Sequence, residues 1–143
     1  MSELHLTVLN KGKKKFVNKS DLIDLLEVYS DSLESEGADE DEQELLKTGR
    51  EVIISFIHLL TRMGQPEKDE YGQGEMGINT PDGKLHPIPF WFRPSDGVFL
   101  SIDHLAAFIR EAPEKHYHFL ADVMDDLNNG KLPVPARSEI KEW

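Results

Sequence analysis

Histidine is the side chain best suited to metal ligation and to proton transfer near neutral pH, and this chain carries six of them with no cysteine. The densest group lies in the stretch EKHYHF, residues 114–119. On a helix His116 and His118 point to different faces, whereas Glu114, His118 and Asp122, each four residues apart, form one column of ligand types. Zinc needs three or four convergent ligands with correct geometry, and an i, i+4 pair is common by chance. The column therefore reads as a solvated helix face, and no metal or cofactor is assigned. An enzyme or metal-binding reading would require His86, His116 or His118 to meet a carboxylate in a pocket.

Ser101, Asp103 and His104 offer the residue types of a nucleophile, an orienter and a base. Adjacent residues on a helix do not face each other, and Ser101 is better placed as a helix cap. The glycines of YGQGEMG, residues 71–77, do not form a phosphate loop, because no Lys-Ser or Lys-Thr follows and no strand-to-helix context frames them. Carboxylates are abundant, but abundance identifies none as acid or base. No catalytic residue is assigned.

Charge distribution is more informative. The chain has 16 Lys and Arg against 27 Asp and Glu, a formal net charge of −11. Between Ser20 and Leu46 there is no basic residue and there are eleven carboxylates, including the run ADEDEQE. Such a surface repels phosphate backbones, so direct nucleic-acid binding is disfavoured; the run is either a solvated face or a surface for a basic partner. The absence of cysteine excludes disulfides and thiolate metal sites. The first residues hold an early Glu and no apolar core of a signal peptide, and the longest apolar run falls far short of the roughly 20 residues of a membrane span. The expectation is a soluble, cytoplasmic protein.

The elements that position these residues follow from periodicity. Glu3 to Leu9 alternates as a strand, Asn10 to Lys13 turns, and Lys14 to Val17 returns as a second strand. Asn18 or Ser20 caps a helix with Leu22, Leu25, Leu26, Tyr29 and Leu33 on one face, ending near Gly37. A longer helix runs from Asp39 to Met63, with Leu45, Leu46, Gly49, Val52, Ile53, Phe56, Ile57 and Leu60 as its stripe. Ile54 and Leu59 widen that stripe, which predicts cover on more than one side. Gly49 within it predicts the close approach of another element. Gly64 and Pro66 stop the helix, and residues 65–75 read as a flexible surface loop.

From Met76 the pattern becomes β. Met76 to Thr80 and Leu85 to Phe92 form a hairpin about the TPDG turn at 80–83, and Val98 to Ile102 forms a further strand. Ser101 caps a helix containing Leu105, Phe108 and Ile109. Pro113 opens a last helix to Asn128, with Tyr117, Leu120, Met124 and Leu127 inward. The Pro-containing tail, residues 131–143, cannot be a central strand and is either docked or disordered.

The stretch LHPIPFWFRPSDG, residues 85–97, is the most unusual. Side chains and N–H groups two residues apart in a strand share a face and an edge, so Pro87 and Pro89 remove two donors from one edge and blunt it. Ile88, Phe90 and Phe92 then face the core. Trp91 looks the other way beside Arg93, and it either packs within its own chain or anchors an interface.

The sequence thus predicts one α+β domain over residues 1–143. A small antiparallel sheet of two hairpins carries about four helices packed mainly on one side, with the Leu45–Met63 helix central. The expected function is a non-enzymatic, acidic protein-binding or accessory role towards a larger macromolecule, of inhibitor, immunity or adaptor type. Its candidate contact residues are Trp91, Arg93, Asp39, Glu40, Asp41 and Glu42, and its partner is a protein of basic character. The alternatives are nucleic-acid mimicry towards a DNA- or RNA-handling enzyme, a small enzyme or metal-binding protein using the C-terminal helix, and a homo-oligomer clasped through the tail and Trp143.

Overall fold

A computed structural model describes residues 4–33, 39–62, 72–79, 85–93, 95–111, 118–134 and 136–142. In chain order these form β1 (His5–Lys11), β2 (Lys14–Asn18), α1 (Lys19–Ser32), α2 (Glu40–Arg62), β3 (Gly72–Asn79), β4 (Leu85–Arg93), β5 (Gly97–Ser101), α3 (Ile102–Glu111), α4 (His118–Asn128) and β6 (Arg137–Glu142). The expected helix exits at Gly37 and Gly64, the TPDG turn, the helix start at Pro113, and Glu114, His116, Tyr117 and Trp143 lie outside the described residues.

The strands form one six-stranded sheet in the order β3-β4-β5-β2-β1-β6. All neighbours are antiparallel except β1 and β6, which run parallel. The fold is therefore of mixed α and β content, as expected, but the sheet is larger than two hairpins. Two differences account for this. The expected loop at 65–75 gives its last four residues to β3, which begins at Gly72 and pairs with β4 along its whole length, from Gly72 opposite Phe92 to Asn79 opposite Leu85. The tail supplies β6, whose pairing with β1 begins after both prolines. It is an edge strand, which is where a proline-flanked segment can join a ladder.

Local chemistry explains the turns from strand to helix. Asn18 ends β2 and caps α1, its side-chain oxygen accepting from Asp21 N at 3.0 Å. Its amide nitrogen donates to the Asp96 carbonyl at 2.9 Å, tying the cap to the β4–β5 turn. Asp21 in turn accepts from the backbone N–H of Thr7 at 2.9 Å. At the C-terminus of α4, Lys131 N donates to Asp126 O and Gly130 N to Leu127 O, the paired bonds that close a helix C-terminus. Lys15 Nζ adds a bond to the Asn128 carbonyl at 2.7 Å.

The two faces of the sheet are unequal. One carries Leu6, Val8, Val17, Ile88, Phe90, Phe92, Val98 and Leu100, and these join buried residues of all four helices in one continuous core. The other carries a small separate cluster of Leu9, Phe16 and Phe99, with Trp91 packed against it. Gly74, opposite Phe90 in the ladder, is required by this packing. A Cβ there would lie 2.7 Å from the Phe90 ring. At Gly49 of α2 a Cβ would meet only the Leu33 side-chain end, Cδ1 at 3.4 Å, at the edge of ordinary van der Waals contact, so no approach that demands a glycine is made there.

The stripe on α2 is used only in part. Val52, Ile53, Phe56, Ile57 and Leu60 are buried, whereas Leu45 is 74% exposed. Ile54, expected under cover, is 42% exposed. The helix is thus central for its second half alone.

Candidate protein-binding site

The first half of α2, residues 40–51, stands in solvent. Glu40 to Leu45, Lys47, Thr48 and Glu51 are all exposed, and only Leu46, Gly49 and Arg50 are partly covered. A segment that buries no stripe gains little from tertiary packing, so its helix must be held by local means. Three are present. Asp39 caps it, its Oδ1 accepting from Glu42 N at 2.8 Å while its carbonyl accepts from Gln43 N at 2.9 Å. Glu40, Asp41 and Glu42 occupy the first turn, where negative charge complements the positive end of the helix dipole. The sequence beyond is rich in Glu, Gln, Leu and Lys, residues of high helix propensity.

The surface is not uniformly polar. Leu45 lines a shallow depression with Asp41, Glu44, Thr48, Gly49 and Phe119 of α4. An exposed apolar side chain beside two carboxylates, close to an acidic helix start, offers both burial and electrostatic steering to a partner of opposite sign.

The other expected contact residues are elsewhere. Trp91 belongs to the sheet face opposite the helices, half-buried against Leu9, Phe16 and Phe99. Lys11 Nζ lies 4.3 Å from its ring centroid, close enough for a cation–π contact. Arg93 reaches Asp96 at 3.9 Å across the β4–β5 turn, which is closed by Asp96 N donating to Arg93 O at 2.9 Å. Trp91 and Arg93 therefore share a strand end, while Asp39, Glu40, Asp41 and Glu42 share a helix start whose body packs on the opposite face. The structure does not bring the two groups into one site.

The proline edge matches the expected pattern. β5 pairs only with Phe90 to Arg93, so the half of β4 holding Pro87 and Pro89 has β3 on one side and no ladder to β5 on the other. There His86 turns to α3, its ring centroid 5.5 Å from that of Phe108 and its Nδ1 3.2 Å from Glu111.

The residues considered for chemistry are placed as follows. Ser101 Oγ and His104 Nδ1 are 2.7 Å apart, so these two side chains do meet, three residues apart rather than adjacent. Ser101 is only 2% exposed and also lies 3.4 Å from His104 N. The contact is that of a capping residue with the third residue of α3. Asp103 does not orient the ring; it accepts from Asn128 Nδ2 at 3.0 Å. His118 opens α4, and among the described residues no three His, Asp or Glu side chains are grouped to hold a metal ion. Of the groups with a displaced pKa, Lys19 at the start of α1 is pushed below 10.5 by burial and Tyr29 is pushed above 10.0 by burial. Both belong to the interior side of α1 and not to the acidic surface.

No family model, curated protein or solved structure matches the chain. No helix among the described residues is long and apolar enough to cross a membrane.

Proposed function

We propose that this is a non-enzymatic, acidic binding protein that docks a basic protein partner on the first half of α2. The observation that carries the reading is the exposure of Leu45, at 74%, in a depression it shares with Asp41 and Glu44, one turn from the acidic start of α2. A chain that needed this segment only for its own stability would have turned Leu45 towards the core or dispensed with the projecting turns. Carboxylates concentrated there raise the encounter rate with a cationic surface, and Leu45 with Phe119 supplies the apolar contact that slows dissociation. The reading rests on α2 and not on Trp91, whose ring is already engaged by Lys11.

The test is affinity capture with the full chain, alongside the quadruple variant D39N/E40Q/D41N/E42Q, which keeps a capping side chain at position 39. The reading predicts a partner retained at low salt, released as salt is raised, and lost by the variant to a far greater degree than the small loss of helix, read by circular dichroism, that removing the first-turn charges brings. A partner held equally by both proteins and at both salt levels would refute it.

A further inference from the structure

The sheet ends on β6, and the geometry points to a second copy of this chain as the occupant of that edge. We infer that two β6 strands pair antiparallel across a two-fold axis passing through Ile140.

The backbone directions come first. Arg137 N donates inward to the Leu4 carbonyl at 2.8 Å, and the register with β1 runs unbroken from His5 opposite Arg137 to Asn10 opposite Glu142. Because alternate residues of a strand present their N–H and C=O groups to opposite edges, positions 137, 139 and 141 bond to β1. Ser138, Ile140 and Glu142 turn their backbone groups outward. Among the described residues no strand lies beyond β6, and such a row of donors and acceptors is a template for another strand.

The side chains choose the partner. Ile140 is 62% exposed, although its neighbour in the register, Val8, is only 5% exposed. Charged residues on an edge ordinarily repel a second copy, but in RSEIKE the sign changes from Glu139 to Lys141 about Ile140. An antiparallel pairing centred on Ile140 sets Ile140 against its own copy. It also sets position 139, a glutamate, opposite position 141, a lysine, of the other chain in the register. The outward backbone groups of 138, 140 and 142 then meet as hydrogen-bonded pairs. The competing registers are worse. One centred on Glu139 opposes two glutamates and sets Arg137 against Lys141, and one centred on Lys141 opposes two lysines. One centred on Ser138 pairs Arg137 with Glu139 but carries Ile140 past the start of the strand. Glu139 already touches His5 Nε2 at 3.1 Å on the same face, which holds its carboxylate above the strand.

Sedimentation velocity of the full chain over a wide concentration range tests this, with E139K, K141E and the exchange E139K/K141E as variants. The expected result is a reversible monomer–dimer equilibrium, about tenfold weaker or more in each single variant, where two attractive pairs become repulsive. The exchange variant should regain the original constant, because in the register centred on Ile140 it restores opposite charges at both 139–141 pairs, with no like pair. A chain that remains monomeric at all concentrations overturns the inference and leaves the edge for a strand of another protein. A dimer indifferent to K141E, or one not rescued by the exchange, overturns it as well.

Discussion

The two halves of α2 carry one apolar stripe, yet they behave as different structures. From Val52 onwards the stripe closes the main core, with Phe56 and Leu60 at 0% exposure. Before it, Leu45 continues the same periodicity into solvent at 74%. The second half is held by burial, worth roughly 25 cal/mol per Å² of apolar surface; the first is held by the Asp39 cap, the dipole and propensity, each worth about 1 kcal/mol or less. A helix can thus be continuous in hydrogen bonding while its two ends obey different energetics. The part with least tertiary support is the part left available to a partner.

Substitutions should separate the halves by size of effect. Phe56→Ala in the core half should cost about 3–5 kcal/mol, read as the midpoint of urea unfolding; a loss below about 1 kcal/mol would mean the core half is no better packed than the exposed one. Lys19→Met comes next, because it contrasts a covered charge with the solvated charges of α2. Lys19 is only 5% exposed, and burial lowers its pKa from 10.5. The folded state therefore binds fewer protons than the unfolded state, and wild-type stability rises with pH between the lowered value and 10.5. The variant should be more stable than wild type at neutral pH, with a gain that shrinks as pH climbs towards 10.5; a gain constant across pH would contradict this. Tyr29, raised above 10.0 by burial, weakens both proteins alike at the alkaline end. The smallest effect is expected from Leu45→Ala, within about 0.5 kcal/mol of wild type in stability, while capture of the basic partner falls. A stability loss of core size would show that Leu45 serves the fold.

Much of this division was legible in the residues and some was not. Periodicity located the core face of β4, the side of it on which Trp91 stands, and the extent of α2, because burial leaves a repeating signature. It could not say where the cover on α2 ends: Leu45 and Phe56 look alike in a stripe, and only the placement of α1 and α4 distinguishes them. β6 was invisible for the same reason in reverse. An exposed edge strand such as RSEIKE buries little and so carries no alternation, and its partner β1 lies at the far end of the chain. The start of β3 was hidden by glycine, a poor strand former, which Gly74 requires because the Phe90 ring occupies its place. The meeting of Ser101 with His104 is not legible from helical adjacency, because it depends on a third-position side chain reaching back to its cap.

Hydrogen exchange on the full chain, alone and saturated with the captured basic partner, tests the division of α2 most directly. The account predicts that amides of residues 40–51 exchange readily in the free protein and slow on binding, while those of 52–62 and of β4 do not change. Slowing confined to the end of β4 near Trp91 and Arg93, or no slowing within α2, would contradict it.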